Sequence, residues 1–133
     1  MSLSRASGIL LHPTSFPSPF GVGDLGQEAY NFVDFLKNSG QKIWQVLPLG
    51  PTGFGNSPYQ AYSAMAGNPL LISPDKLKDE GWLSVRDLSD IPAFPKDQVD
   101  FDLVAQLKSS LLKTAYQNFQ KDTSEEKLSL IHI

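Results

Sequence analysis

The loop between residues 48 and 69 carries the side chains whose types and spacing best suit a binding site. Its aromatic members, whose faces can stack on the apolar C–H surface of a sugar ring, are Phe54, Tyr59 and Tyr62. Its polar members, which can exchange hydrogen bonds with sugar hydroxyls, are Asn56, Ser57 and Gln60. A structural loop, with turn residues and with aromatic rings that fasten it to the body of the protein, fits the same pattern. Both interpretations stay open.

His12 and Trp44 are the other two side chains that could contact a ligand. His12 lies at the carboxyl end of a predicted strand over 8–12, the edge at which parallel α/β proteins commonly bind ligands. A structural histidine, hydrogen-bonded to a neighbouring loop, and a substrate contact both fit that position. Trp44 lies within an apolar strand over 43–48, and we expect it to pack in a core rather than to form a platform for sugar.

The carboxylates are expected to serve structure rather than catalysis. Asp24 is expected to cap a helix, and the remainder lie on polar helix faces: Glu28, Asp34, Asp75, Asp79 and Glu80. A glycosidase-type mechanism needs two carboxyl groups in one cleft, and the spacing predicts no such pair. We therefore expect no catalytic residue in this sequence.

Composition disfavours several other kinds of site. The 133 residues, 41% hydrophobic and 19% charged, suit one ordinary domain without a membrane span or a secretory signal. The sequence has no cysteine, and its only histidines are His12 and His132, so we expect no metal centre and no cofactor. The net charge is −3 and the 11 basic residues are scattered, which makes nucleic acid and anionic membranes poor partners.

The elements that must position these side chains begin with a βαβ unit. The short apolar runs 8–12 and 43–48 read as strands without alternation, the pattern of fully buried strands. Between them, Asp24 as N-cap and Gln27 three residues later predict a helix that ends at Gly40. Its apolar stripe consists of Leu25, Ala29, Phe32, Val33 and Leu36. In the preceding loop, Phe16 and Phe20 are expected to exclude solvent.

The second half of the chain is predicted to be helical. Ser73 and Pro74 start a short helix that Gly81 closes, and an acidic, proline-containing connector follows over 86–98. Residues 102–121 form a long amphipathic helix with an apolar stripe of Leu103, Leu107, Leu111, Ala115 and Phe119.

Three linked groups of residues resemble a known family in order and spacing. The first is RASGILLHPTS at 5–15 with GVGDLG at 21–26; the second is WQVLPLGPTG at 44–53 with NSPYQ at 56–60; the third is AGNPLLI at 66–72. Together they resemble glycoside hydrolase family 77, the amylomaltase or disproportionating-enzyme type of 4-α-glucanotransferase. The resemblance is strong up to Gly81 and looser to about residue 124.

The resemblance implies an α/β fold that starts a (β/α)₈ TIM barrel, with the first two strands, the intervening helix and inserted loops and helices. Its parts would be a βαβ unit at 1–48, a loop at the active-site edge at 49–72 and a helical insertion at 73–133. It also implies a cytoplasmic or plastid enzyme without a cofactor that transfers α-1,4-glucan segments by retaining double displacement. Its partners would be maltooligosaccharides and the breakdown products of starch or glycogen.

The resemblance further implies roles for single residues. Ser57 and Tyr59 would reach the substrate near the cleavage point, Asn56 and Gln60 would support their loop, and Phe54 would meet glucan outside the main cleft. The three catalytic carboxylates belong to later barrel strands, so a truncated chain is expected, and residues 128–133 depart from the family. A non-catalytic α-glucan-binding module and a fragment of an α-amylase-clan hydrolase remain as alternatives.

Overall fold

A computed structural model describes residues 5–63 and 65–121; the side chain of Phe54 and the whole of His132 lie outside that description. The strands and helices are β1 (Gly8–Leu10), α1 (Gln27–Asn38), β2 (Ile43–Gln45), α2 (Pro74–Asp79) and α3 (Phe101–Lys121). Short 3₁₀ turns occupy Pro13–Ser15, Phe54–Asn56 and Pro69–Leu71. Within the described ranges, no helix is long and apolar enough to cross a membrane.

β1 and β2 lie parallel, and α1 connects them, so the predicted βαβ unit is confirmed. Ile9 of β1 is paired with Trp44 of β2. The prediction that the strands are fully buried is wrong, because Leu10 is 54% and Ile43 50% exposed. Both strands are also shorter than predicted. Full burial of a parallel pair requires cover on both faces, and a single helix covers only one.

The start of α1 differs from the prediction, whereas its end agrees with it. The N-cap position is Gly26, with no side-chain hydrogen bond, so the prediction that Asp24 and Gln27 form a capping box is wrong. Asp24 is buried and bonded to α3 instead, as described below. At the other end Gly40 has a φ of 73°, and Gln41 N donates to Leu36 O at 2.9 Å, the pairing of a Schellman motif.

The apolar stripe of α1 and the preceding loop pack around one aromatic cluster. Ala29 and Leu36 are buried, while Leu25 and Val33 remain about half exposed. Phe16, Phe32 and Trp44 form the cluster, with ring centroids 5.2–5.8 Å apart. Phe16 and Phe20 are both buried, as expected for the rings of this loop.

The two remaining helices are present as predicted, and they pack on each other. Ser73 and Pro74 begin α2, and Gly81 follows its end. The core between α2 and α3 contains Leu83, Leu111 and Ala115, with Leu77, Trp82, Leu88 and Leu107 packed around it. Residues 86–98 form neither helix nor strand. The predicted apolar stripe of α3 is confirmed at Leu107, Leu111 and Ala115. It missed the two most buried residues of the helix, Val104 and Lys108.

Candidate functional site

A cavity of about 260 Å³ opens at the carboxyl ends of β1 and β2. His12 and Thr14, which follow β1, form one part of its wall. Other parts come from the loop over residues 48–62 (the 50s loop), the turn after it and the start of α3: Asn56, Pro58, Asn68, Leu70 and Phe101. Small-molecule sites commonly measure ~300–1,000 Å³, so this cavity suits a single ring-sized group.

Among residues 5–63 and 65–121, one ring nitrogen of His12 has a hydrogen-bond partner and the other has none. Its Nδ1 lies 2.7 Å from Thr14 Oγ1 and accepts a 3.3 Å hydrogen bond from the backbone N–H of Thr14. Because a backbone N–H can only donate, Nδ1 carries no hydrogen and Nε2–H is the donor. Nε2 is buried and has no hydrogen-bond partner within the described residues. Nδ1 therefore has the expected structural role, and Nε2 is left for a further partner.

Trp44 holds the end of β1 in place. Its Nε1 donates a 2.7 Å hydrogen bond to the carbonyl of Leu11, the residue before His12. The N–H of Leu11 in turn donates to Gln45 O at 3.0 Å. The ring packs edge-on against Phe32, with centroids 5.2 Å apart. The expectation that Trp44 belongs to a core is confirmed, and its indole fixes the position of the cavity wall.

Backbone hydrogen bonds join the two ends of the 50s loop. Gly53 N donates to Gln60 O at 2.9 Å, and Thr52 and Ala61 form an isolated antiparallel bridge. At the tip, Asn56 adopts a positive φ of 53°, a conformation that asparagine tolerates better than most residues. These contacts set the shape of the loop without a strand or an α-helix, as its proline and glycine content predicts.

The loop side chains divide between the cavity and the surface. Asn56 lines the cavity with His12, whereas Tyr59 is 74% and Tyr62 82% exposed. The interpretation in which these tyrosine rings fasten the loop to the body is therefore wrong. Ser57 is half-buried, its Oγ accepts from Tyr59 N at 3.3 Å, and its backbone is extended, as expected before proline. Neither Ser57 nor Gln60 belongs to the wall of this cavity.

The expectation that no carboxylates share a cleft is wrong. Asp24, Glu28 and Asp75 line a second cavity of about 460 Å³, which shares no lining residue with the first. Each already has a partner: Asp24 pairs with Lys108, Asp75 with Lys78 at 3.1 Å, and Glu28 accepts from Asn31 at 3.2 Å. In the described parts of the chain, no three His, Cys, Asp or Glu side chains are grouped to hold a metal ion.

Lys108 bonds a residue of the cavity wall, and its role was not predicted from the sequence. Its side chain is 1% exposed, and Nζ donates to Asp24 Oδ2 at 2.9 Å, to Leu70 O at 2.7 Å and to Ile72 O at 3.0 Å. Burial lowers the pKa of Lys108, and the Asp24 carboxylate opposes that shift. A signal was present: Lys108 follows Val104 by four residues and precedes Leu111 by three, so it lies on the apolar face of α3.

Comparison with known proteins shows that the chain is similar to members of one family. The profile of glycoside hydrolase family 77, described as 4-alpha-glucanotransferase, matches residues 11–131. The match covers most of the 128–133 segment that was expected to depart from the family. A 4-alpha-glucanotransferase of Synechocystis is 56% identical over 116 residues, which are 87% of this chain and 23% of the relative. One of Thermus thermophilus is 51% identical over 126 residues, 95% of this chain and 24% of the relative.

A solved structure agrees with these relatives. An amylomaltase from Streptococcus agalactiae, determined in complex with acarbose, superposes with a TM-score of 0.86 at 43% sequence identity. The match covers 94% of this chain and 26% of that structure. The chain therefore spans about a quarter of the length of the proteins that it matches.

Proposed function

The chain belongs to the 4-alpha-glucanotransferase family, glycoside hydrolase family 77, and we propose that it supplies the N-terminal region of an enzyme of that activity. The enzyme transfers a segment of an α-1,4-glucan to the 4-hydroxyl of an acceptor glucose or glucan. Its substrates are maltooligosaccharides and the breakdown products of starch or glycogen, in the cytoplasm or the plastid stroma. The identities above 50% to relatives named 4-alpha-glucanotransferase support this proposal.

The observation that carries the proposal is the cavity at the ends of β1 and β2. His12 and Asn56 bring an imidazole and an amide to its wall, and the exposed ring of Tyr59 lies in the same loop as Asn56. The buried Nε2–H of His12 is a donor without an acceptor among the described residues, and a sugar hydroxyl is a suitable acceptor. Stacking on an aromatic ring together with a few fixed polar groups is the usual composition of a sugar site.

In this enzyme the present segment binds sugar, and other parts of the protein carry the bond-breaking groups. Retaining transfer needs a carboxylate nucleophile and a carboxylic acid close together. The cavity-lining carboxylates of this chain are engaged elsewhere, so the nucleophile and the acid come from outside it. The residues that we assign to substrate binding and its support are Phe54, Asn56, Ser57, Tyr59, Gln60 and His12.

The proposed enzyme has one barrel, and this chain begins it. β1, α1 and β2 form the first strands of a (β/α)₈ barrel within 1–48, the active-site-edge loop spans 49–72, and 73–133 is a helical insertion. The exposed side chains of Leu10 and Ile43 support this arrangement, since strands of a barrel are covered on both faces.

A chimaera tests the proposed function. The aligned part of this chain replaces the 116-residue segment of the Synechocystis relative that it matches. The purified protein is then incubated with maltotriose. We expect glucose together with longer maltooligosaccharides, because each transfer lengthens an acceptor. The matched control is the 133-residue chain alone, for which we expect no product. A folded chimaera that gives no longer product would contradict the proposal: glucose and maltose alone would favour a hydrolase, and binding without turnover a glucan-binding module.

A further inference from the structure

We propose that Lys108 is a positioning residue of the sugar cavity, although it lies outside the cavity wall. Its ammonium has three N–H donors and meets three oxygens: one carboxylate oxygen of Asp24 and the carbonyls of Leu70 and Ile72. Every donor is occupied, and the side chain is almost completely buried. This inference rests on the proposed function of the cavity.

The three oxygens belong to segments that border the cavity or support its wall. Leu70 lines the cavity, and Asn68, two residues earlier, does so as well. Leu70 is part of the 3₁₀ turn Pro69–Leu71, and Ile72, whose carbonyl also accepts from Lys108, directly follows that turn. Asp24 lies next to Leu25, whose backbone N–H donates to Leu71 O at 2.9 Å. The ammonium therefore holds the turn from two sides, through its own bonds and through the segment that contains Asp24.

Lys108 also ties this turn to the helix that closes the cavity. Phe101, the first residue of α3, lines the cavity, and Lys108 lies two helical turns further along the same helix. The position of Leu70 relative to Phe101 thus depends on the bonds of Lys108. Misplacement of substrate-contacting groups by about 1 Å lowers the efficiency of an enzyme strongly, so such a link affects function even without substrate contact.

A structural role alone predicts a different outcome from a positioning role. Removal of one partner of a buried ion pair leaves the other charge uncompensated and destabilises the protein. Replacement of both partners by neutral groups commonly restores stability. The double replacement does not restore the bonds to the carbonyls of Leu70 and Ile72. If Lys108 positions the turn, the double variant should therefore regain stability while its substrate affinity stays low.

The test uses the chimaera with Lys108→Met, with Asp24→Asn/Lys108→Met, and with Lys113→Met as an exposed control on the same helix. For maltotriose we expect KM to rise about five- to tenfold with kcat nearly unchanged in both Lys108 variants, as for loss of one ground-state hydrogen bond. The melting temperature should fall in Lys108→Met and recover in part in the double variant, where Asp24 no longer leaves an uncompensated charge but the two carbonyls still lack their donor. The control should match the unsubstituted chimaera. Recovery of KM together with the melting temperature would overturn the positioning role.

Hydrogen exchange gives a readout that does not depend on activity. The amides of Leu71 and Ile72 close the turn by bonds to Asn68 O and Pro69 O, and both should exchange faster in the two Lys108 variants. Unchanged exchange would overturn the inference whatever the kinetics show. A folded, unsubstituted chimaera without activity would overturn the proposed function itself, and with it the sugar-site role of Lys108. That result is distinct because it precedes any substitution.

Discussion

The indole N–H of Trp44 donates a 2.7 Å hydrogen bond to the carbonyl of Leu11, 33 residues earlier in the chain. The N–H of Leu11 also donates to Gln45 O at 3.0 Å, and the two bonds together fix the backbone immediately before His12. His12 then bonds Thr14 through Nδ1, which leaves Nε2 as a donor without a partner in the part of the chain that the structure describes. A side chain expected to serve only the core thus also determines where the imidazole lies in the cavity wall.

We expect Trp44→Phe to destabilise the chimaera by about 1–2 kcal/mol, because the Leu11 carbonyl loses its donor while an aromatic ring remains. The measurement is the free energy of unfolding in urea. Trp82→Phe is the matched control: Trp82 Nε1 is buried without a partner in the described residues, so removal of its N–H breaks no hydrogen bond there. Equal losses for the two variants would contradict the role of the Trp44 bond.

Replacement of Tyr59 should affect turnover and leave stability unchanged. If its hydroxyl contacts the sugar more strongly in the transition state, Tyr59→Phe should lower kcat about five- to thirtyfold, for ~1–2 kcal/mol, and Tyr59→Ala should lower it further. Since the side chain is 74% exposed, neither change should lower the melting temperature. Tyr30→Phe, at an exposed tyrosine of α1, is the control. A fully active Tyr59→Ala enzyme would end the idea of a substrate contact.

The two nitrogens of His12 can be tested separately. An asparagine side chain reaches about as far as Nδ1 and can accept from Thr14 N, whereas it provides nothing at the position of Nε2. We expect His12→Asn to keep the melting temperature and to raise KM for maltotriose about fivefold. Thr14→Val should do the reverse, with a lower melting temperature and a nearly unchanged KM. If His12→Asn leaves KM and kcat for maltotriose unchanged, His12 has only a structural role.

The stability of the protein should depend on pH through Lys108. Burial lowers the pKa of Lys108 in the fold, while the unfolded chain keeps a value of about 10.5. Between these two values the unfolded state binds more protons, so stability rises with pH and is lost as pH falls through the folded pKa. The difference in unfolding free energy between the chimaera and Lys108→Met should therefore shift in favour of Lys108 as pH rises towards 10.5. A shift in the opposite direction would mean that the Asp24 charge outweighs burial.

Local signals were sufficient to predict the helices and their ends except the start of α1, and non-local contacts account for what was missed. Pro74, Gly40 and Gly81 act within one helical turn, so the sequence reveals them. Asp24 has the sequence context of a helix cap, yet its partner Lys108 lies 84 residues away. A contact between residues this far apart in the sequence leaves no pattern among neighbouring residues. The burial of β1 and β2 is likewise not predictable locally, because it depends on the elements that cover them.

Only part of the wall of the candidate site was predictable from the sequence, and its geometry was not. The 50s loop and the end of β1 were identified from residue type and position, and His12 and Asn56 do meet in one cavity. The exposure of Tyr59 and the contribution of Asn68 and Phe101 to the site carry no local signal. Both depend on how the 50s loop, the following turn and α3 fold together.

Transfer to a labelled acceptor tests the central claim most directly. The chimaera is incubated with unlabelled maltoheptaose and ¹³C-glucose, and the products are separated and analysed by mass. Retaining transfer to the 4-hydroxyl predicts the label in a ladder of maltooligosaccharides, each with one labelled glucose at its reducing end. Label that remains only in free glucose, while maltoheptaose is shortened or left intact by a folded protein, would contradict the account.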